Sequence, residues 1–172
     1  MEERTRYEIR DVVEADLPAV VAMNELAVPH VNSLDHRQIK RLLDQAAYFR
    51  AIVRGEGTGE EVCAFLVGLG PEASYESPNF LWFCKKFNRF AYIDRIVVAL
   101  TARRNGLASV LYEDFERVFR HKVPILACEV NIRPPNPASM KFHRGRGFRQ
   151  FGSQRIDNGD KEVAMLVKKL DR

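Results

Sequence analysis

The stretch FAYIDRIVVALTARRNGLASVLYEDFERVF, residues 90–119, decides the fold of this chain. Residues 90–100 are rich in β-branched and aromatic side chains, and this composition predicts a strand. Residues 107–119 repeat apolar side chains at helical spacing, so an amphipathic helix is predicted to follow the strand. The buried face of that helix should comprise Leu107, Val110, Leu111, Phe115, Val118 and Phe119. The turn between the two elements contains Arg103-Arg104-Asn105-Gly106.

This turn leads into a helix N-terminus, where backbone N–H groups without intrahelical partners and the helix dipole favour an anion. Gly106 and Ala108 keep the first turn of the helix small, so a phosphate has room to approach the backbone. Arg103 and Arg104 add positive charge and forked hydrogen-bond donors. An alternative stays open at this point, namely an ordinary strand-to-helix turn whose arginines face solvent.

Hydrophobic patterning before this stretch predicts one strand, two helices and a hairpin. The first strand should span residues 7–13, and the two helices should begin at the N-caps Asp16 and Asp35. Residues 48–54 and 60–68 flank a segment with three glycines, which is typical of a β-hairpin. The connection at residues 69–89 is long for a compact domain and is expected to form a lid or to contain a short helix.

The last third of the chain predicts a strand at residues 125–130, a helix at 138–146 and a second hairpin. The hairpin should pair residues 147–157 with 161–170, and the sequence Asn158-Gly159 suits a type I′ turn. The element order is therefore β-α-α-β-β-β-α-β-α-β-β. It predicts a mixed α/β (α+β) fold with a central, largely antiparallel sheet and a single domain over residues 1–172.

Composition excludes several classes of protein. The chain of 172 residues is 46% hydrophobic and 29% charged, which argues against a disordered or fibrous protein. The longest uncharged run is residues 62–71, too short to span a bilayer, and no signal peptide is recognisable. The cysteines Cys63, Cys84 and Cys128 form neither a disulfide framework nor a metal-binding pattern. A cytoplasmic location without a membrane or metal partner is the simplest interpretation.

The net charge of +4 is unevenly distributed along the chain. Residues 1–86 carry 10 Lys and Arg against 14 Asp and Glu, whereas residues 87–172 carry 17 against 9. The basic second half predicts a polyanionic partner, namely a nucleic acid, an anionic membrane surface or a phosphorylated cofactor, and the charge alone does not choose among them. The less basic first half is expected to suit a cationic ligand.

Two motifs resemble signatures of the GNAT superfamily of acetyltransferases. The pattern Arg103-x-x-Gly106-x-Ala108 after a strand resembles its acyl-coenzyme A loop, and residues 136–148, NPASMKFHRGRGF, resemble its later signature. The resemblance implies a GNAT-like sheet in which the strands at residues 90–100 and 125–130 splay apart. It implies transfer of an acetyl group from acetyl-CoA to a primary amine by direct attack on the thioester.

The resemblance also implies which residues contact acetyl-CoA. Backbone groups of Ile96, Val97 and Val98 would pair with the pantetheine arm and polarise the thioester carbonyl. The pyrophosphate would be held by Arg103, Arg104, Asn105, Gly106, Leu107 and Ala108. Asn136 would contact pantetheine, and His143 would lie beside the cofactor.

Three residues are candidates for moving protons. His143 occupies the position where the family often has a tyrosine acid; an imidazolium is one interpretation, and a packed or hydrogen-bonded ring is the other. Asp94 and Glu129 are candidate bases because a carboxylate inside an apolar strand is costly unless it is paired or functional. The alternative for both carboxylates is ion pairing, for example with Arg95 or Arg133.

The acceptor side is expected to use the aromatic residues of the 69–89 connection. Tyr75, Phe80, Trp82 and Phe83 either line a pocket for a small-molecule or peptide amine, or form a hydrophobic cover or a dimer contact. A homodimer is therefore possible. Two other functions stay open: a catalytically weak acyl-CoA-binding sensor or partner-binding module, and, less favoured, recognition of a nucleic acid.

Overall fold

The computed structural model of the chain describes residues 6–55 and 57–171. Within these residues there are seven strands and five α-helices. The strands are β1 (Tyr7–Asp11), β2 (Tyr48–Arg54), β3 (Glu61–Leu69), β4 (Ala91–Val98), β5 (Ile125–Arg133), β6 (Arg149–Ile156) and β7 (Lys161–Lys169). The helices are α1 (Leu17–Ala27), α2 (His36–Gln45), α3 (Pro78–Lys86), α4 (Leu107–Phe119) and α5 (Pro137–Gly145). The helix predicted within residues 69–89 is α3, so that expectation is confirmed.

The strands form one sheet in the order β1-β2-β3-β4-β5-β7-β6. β2 pairs antiparallel with β1 and β3, and β7 pairs antiparallel with β5 and β6. β4 and β5 are parallel, and their pairing in the described chain is confined to Ala91 with Leu126 and Tyr92 with Ala127. The predicted antiparallel sheet with two diverging central strands is therefore confirmed.

The chain divides into two compact units. Unit 1 comprises residues 1–68 and 95–117, and its buried core includes Leu17, Val20, Ile39, Leu42, Phe65, Leu111 and Phe115. Asp35 caps α2 as predicted, because its side chain accepts a hydrogen bond of 2.7 Å from the backbone N–H of Gln38. A side chain at Gly68 would lie 2.3 Å from the Phe115 ring, so only glycine allows this close approach of β3 and α4.

Unit 2 comprises residues 69–94 and 118–172, and aromatic side chains dominate its core. Phe80 and Phe83 of α3 pack on Phe90 and Tyr92, with ring centroids 5.4 to 6.2 Å apart. All four rings are at most 1% exposed. This packing anchors α3 against Tyr92 of β4 and against Phe90, the residue before that strand. Among the described residues, no helix has the length and apolar character needed to cross a membrane.

Three local predictions differ from the structure in whole or in part. Val110 is 43% exposed instead of buried, because it lies at the edge of the apolar stripe of α4. Asp16 is the N-cap residue of α1 as predicted, but its carboxylate accepts from the Val13 N–H and the Arg10 guanidinium and not from an N–H of α1. The turn between β6 and β7 contains four residues, 157–160. Positive φ angles occur at three of them, Asp157, Asn158 and Gly159, so the turn differs from a two-residue type I′ turn.

Candidate active site

The loop that precedes α4 has the backbone geometry of an anion-binding turn. Arg103 and Arg104 are exposed, and positive φ angles occur at Arg104 (65°) and Gly106 (71°). The Asn105 amide stabilises the turn by donating to the backbone oxygens of Ala102 (3.1 Å) and Arg103 (3.3 Å). The first hydrogen bond of α4 runs from the Val110 N–H to the Gly106 oxygen. The N–H groups that precede Val110 in the first turn therefore point out of the N-terminal end of the helix, toward the loop.

The space around Gly106 shows whether this loop has room for the phosphates of acetyl-CoA. A methyl group built on Gly106 would meet no atom within 4 Å, so the backbone here borders open space. By contrast, a methyl on Gly152 would lie 2.8 Å from the Trp82 ring, because that glycine is needed for internal packing. Glycine at position 106 therefore serves the positive φ and leaves the backbone accessible. Together with the two exposed arginines, this geometry fits a phosphate group.

The last residues of β4 alternate between two environments. Asp94, Ile96 and Val98 are half-buried on one face of the strand, whereas Arg95 and Val97 are buried on the other. The Arg95 guanidinium donates to Asn24 Oδ1 (2.8 Å) and to the Asn32 backbone oxygen (3.1 Å). Arg95 therefore ties β4 to α1 and its following loop, while the face that carries Asp94 also carries the predicted cofactor-pairing residues.

Glu129 on β5 is held by two neutral donors. Its Oε1 atom accepts hydrogen bonds from the Tyr92 hydroxyl (2.9 Å) and the Asn79 amide (3.1 Å), and its Oε2 atom is screened from solvent. Arg133, the ion-pair partner considered from the sequence, lies 3.8 Å from Glu162. The contacts of Glu129 are thus those of a carboxylate held in place by hydrogen bonds from a tyrosine and an amide.

Tyr92 shows that two carboxylates act at one point of unit 2. Burial, then the charges of Glu129 and Asp94 and the neighbouring Tyr75, raise the pKa of Tyr92 well above its usual value. The hydroxyl therefore stays protonated at neutral pH and serves as a donor to Glu129. The structure brings the predicted residues Asp94, Glu129 and Tyr75 together around a residue that the sequence had not singled out.

Gln154 extends the hydrogen bonds around Glu129 to β6, the edge strand of the sheet. Gln154 of β6 donates through Nε2 to the Oδ1 atom of Asn79 (3.0 Å), and Asn79 in turn donates to Glu129. Sequence reasoning missed Tyr92, Asn79 and Gln154. For Tyr92 a signal existed, since it shares the alternating strand face with Asp94. For the other two there was none, because their contact depends on how α3 and β6 pack against β5.

His143 is a buried residue of α5, 5% exposed. Its Nδ1 atom lies 2.7 Å from the backbone oxygen of Ser139, which can only accept, so the ring proton is on Nδ1. The ring packs edge-on against Phe142 and Phe148, each with centroids 5.4 Å away. Burial lowers the pKa of His143, so the ring is neutral at pH 7. These contacts favour the packed, hydrogen-bonded interpretation over an imidazolium acid.

Asn136 and the aromatic residues have more than one role. Asn136 is the N-cap of α5, where its Oδ1 atom accepts from the Ser139 N–H (3.1 Å). Of the four predicted acceptor-side aromatics, Phe80 and Phe83 lie in the core, whereas Tyr75 and Trp82 are half-buried. Cys128 is 2% exposed, as expected for core packing, and burial raises the pKa of its thiol.

Comparison with known proteins identifies the family of this chain. The sequence model of the acetyltransferase (GNAT) family matches residues 22–148, which is most of the chain. The chain belongs to this family. It is an acetyl-CoA-dependent N-acetyltransferase, which transfers the acetyl group to an amine. No sequence among curated proteins matches this GNAT chain significantly.

Solved structures of N-acetyltransferases share the fold of this GNAT protein. The ribosomal-protein-S18-alanine N-acetyltransferase of Escherichia coli has 17% identity and a TM-score of 0.69, and the match covers 97% of this chain and 96% of that one. The ribosomal-protein-alanine N-acetyltransferase of Brucella melitensis has 24% identity and a TM-score of 0.68, with coverages of 95% and 99%. NAA60 of Arabidopsis thaliana, crystallised with a bisubstrate analogue, has 15% identity and a TM-score of 0.74, with coverages of 95% and 98%.

Proposed function

We propose that this acetyltransferase acts on a primary amine that arrives protonated, on a small molecule or a peptide, and that Glu129 binds the ammonium group and removes its proton. The observation that carries the proposal is the Glu129 carboxylate, whose Oε1 atom is held by the Tyr92 hydroxyl (2.9 Å) and the Asn79 amide (3.1 Å). A carboxylate held at one oxygen is a well-oriented base, and the negative charge of Asp94, which also acts on Tyr92, would add to the attraction of a cation. Half-buried Tyr75 and Trp82 provide apolar surface for the rest of the acceptor.

The residues that would bind acetyl-CoA follow from their backbone geometry. The phosphates bind to the arginine side chains and to the first N–H groups of α4. The residues that form this phosphate site are Arg103, Arg104, Asn105, Gly106, Leu107 and Ala108. The half-exposed face of Ile96 and Val98 pairs with the pantetheine arm. Asn136 uses its Oδ1 atom as a helix cap, so its Nδ2 atom is the group that contacts pantetheine. His143 contributes a neutral ring beside the cofactor.

These roles define a direct transfer. Glu129 accepts one proton from the ammonium group, which leaves a neutral nitrogen with a lone pair. Acetyl-CoA supplies a thioester, whose carbonyl carbon this nitrogen attacks while the C–S bond breaks. A backbone N–H of Ile96, Val97 or Val98 donates to the carbonyl oxygen as negative charge develops on it. The second proton lost by the nitrogen passes through solvent to the leaving sulfur, since the His143 proton is committed to Ser139.

We further propose that the chain acts as a single catalytic domain in the cytoplasm. The family match runs through residues of both compact units, which supports one domain. The cysteines Cys63, Cys84 and Cys128 are thiols in the structure, which agrees with a reducing compartment. Homodimer formation stays a prediction.

A thiol-release assay with acetyl-CoA tests this function. The acceptors are a panel of amino acids, polyamines, aminoglycosides and peptides with free N-termini, including peptides that begin with alanine. We expect activity with one chemical class of amine and a loss of about 10²-fold or more in kcat for Glu129→Gln. Because the substitution keeps the shape of the side chain, binding of acetyl-CoA should stay unchanged in calorimetry.

Glu113→Gln is the matched control, since it removes the same charge from an exposed position on α4. It should leave the rate of thiol release unchanged. Wild-type rates in Glu129→Gln would refute the role of Glu129. A protein that binds acetyl-CoA but releases thiol with no member of the panel would favour the sensor function instead.

A further inference from the structure

We infer that Asn79 and Gln154 are positioning residues that fix the orientation of the Glu129 carboxylate. This inference rests on the proposed function, in which Glu129 is the group that meets the acceptor amine. It adds a role for Asn79 at the start of α3 and for Gln154 of β6, two residues that the catalytic assignment does not use. Three side chains from different parts of the fold form one directed hydrogen-bond chain, from Gln154 to Asn79 to Glu129.

The first step of the argument is that Asn79 is held rigidly. It is the second residue of α3 and is 8% exposed. The next residue, Phe80, is buried against Phe90 and Tyr92, so the helix start cannot shift without disturbing the aromatic core. The Asn79 amide is therefore presented to Glu129 from a fixed backbone, at 3.1 Å between Nδ2 and Oε1.

The second step is that Gln154 decides which way the Asn79 amide faces. An asparagine amide has a donor end and an acceptor end of nearly equal shape, and only the donor end can bind a carboxylate. Gln154 donates to the Oδ1 atom of Asn79 at 3.0 Å and thereby holds Nδ2 toward Glu129. If the Asn79 amide rotated, its Nδ2 atom would face the Gln154 donor, and its Oδ1 atom would face the Glu129 carboxylate oxygen. Gln154 thus acts on Glu129 through Asn79 without touching it.

The third step is that strand pairing fixes the backbone positions of Gln154 and Glu129, the two ends of the hydrogen-bond chain. In the sheet, Gln154 pairs with Val163 of β7, and Glu129 pairs with Met165 of the same strand. Both side chains therefore have backbone positions set by β7. Together with the Tyr92 hydroxyl at 2.9 Å, the Asn79 amide gives Oε1 two donors and so fixes the plane of the carboxylate.

The titratable side chains next to Glu129 do not change charge in the pH range in which a glutamate titrates. Tyr92 of β4 faces it directly, and Cys128 precedes it on β5; burial raises the pKa of both, so neither changes charge below pH 8. Asp94 and Tyr75 act on Tyr92 from the strand and from the connection before α3. In the uncharged variant Asn79→Leu, a change in the titration of Glu129 is then attributable to the hydrogen-bond chain. In Gln154→Glu the added carboxylate also raises the midpoint by direct repulsion, so that variant contradicts the inference if the midpoint does not move.

The experiment is a carbon-13 NMR titration of the glutamate carboxyl groups in the protein without added ligand, with the Glu129 signal assigned by its absence from Glu129→Gln. In Gln154→Glu, the new side chain cannot donate when ionised, so the Asn79 amide rotates and the titration midpoint of Glu129 should rise by about half a unit or more. Gln150→Glu is the matched control, because Gln150 lies on the same strand, is exposed and bonds only locally to the Gly152 oxygen among its described contacts. It should leave the midpoint within the error of measurement.

Asn79→Leu gives a second, uncharged test. It keeps the volume of the side chain and removes the donor, so the Glu129 midpoint should rise and kcat with the best amine of the panel should fall about tenfold, with KM for acetyl-CoA unchanged. Equal midpoints in Gln154→Glu and Gln150→Glu, or a wild-type midpoint in folded Asn79→Leu, would overturn the inference. Full activity of Glu129→Gln would instead refute the proposed function, and the titration would still decide whether Asn79 and Gln154 position the carboxylate.

Discussion

Replacement of Gly106 by alanine separates the two demands that this position meets. The residue has a φ of 71° and borders open space, because a methyl group built on it would meet no atom within 4 Å. The methyl group therefore causes no clash within the protein, and its cost to stability comes from the backbone conformation alone. That cost is about 1–2 kcal/mol for a residue with a side chain in the left-handed region. For a chain of this size it corresponds to a decrease in Tm of roughly 2–8 °C.

Cofactor binding should suffer for a different reason. If a phosphate of acetyl-CoA approaches the N–H groups at the start of α4, a methyl group on Gly106 occupies part of that approach. Loss of one charge-assisted hydrogen bond costs about 1.5–3 kcal/mol, which raises Kd by roughly ten- to a hundredfold. Gly57 provides the matched control, since it has a φ of 58° and a methyl on it also meets nothing within 4 Å.

Calorimetric titration with acetyl-CoA and thermal unfolding should be carried out on both variants. We expect Gly106→Ala and Gly57→Ala to lose similar stability, and only Gly106→Ala to bind acetyl-CoA more weakly. The comparison removes any effect of general destabilisation on binding. Equal affinities in the two variants, at equal losses of Tm, would refute the assignment of the open space at Gly106 to a phosphate.

Three further predictions follow from other contacts. Arg103→Glu should raise the Kd for acetyl-CoA about tenfold or more in calorimetry, while Arg41→Glu on the exposed face of α2 should leave it unchanged. Asp114→Ala should lower the free energy of unfolding by about 2–3 kcal/mol in urea titrations, because it removes the acceptor shared by the Tyr48 hydroxyl and the Arg50 guanidinium, both 2.8 Å from Asp114, while Arg50 keeps its bond to Asp11 (2.9 Å). A loss below about 0.5 kcal/mol would contradict this network. Burial lowers the pKa of His143, so the stability that its neutral ring contributes is complete above about pH 6.5 and is lost as the pH falls through the folded-state pKa. His143→Gln should therefore flatten the decline in Tm between pH 6.5 and 5. A slope equal to that of the wild type would contradict this prediction.

Local sequence signals predicted the loop before α4 well. A strand, a turn with a glycine and an amphipathic helix are specified by neighbouring residues, and the positive φ of Gly106 is the conformation that its glycine permits. The N-cap Asp35 and the helix within residues 69–89 were predictable for the same reason. In each case the determinants of the structure lie within a few residues of one another along the chain.

The hydrogen-bond cluster around Glu129 could not be predicted in this way. Its members come from α3, β4, β5 and β6, and Asn79 and Gln154 are separated by 75 positions. No local pattern distinguishes a buried amide that bonds to a carboxylate from one that faces solvent. The opposite error occurred for Phe80 and Phe83, whose aromatic character suggested a pocket, whereas their spacing on α3 directs them into the core.

The distribution of charge shows why long-range averages are a weak guide to a binding site. The acidic first half of the sequence was expected to suit a cationic acceptor, yet the carboxylates proposed to attract it, Asp94 and Glu129, both lie in the basic second half. Charges in salt solution are largely screened beyond about 8 Å, so an ammonium group responds to the few groups around it and not to the net charge of 86 residues. The same half also carries Arg103 and Arg104, proposed to bind phosphates of the opposite charge. One basic segment can therefore serve an anionic donor and a cationic acceptor, provided that its arginines and its carboxylates are kept at separate positions along β4, β5 and the loop before α4.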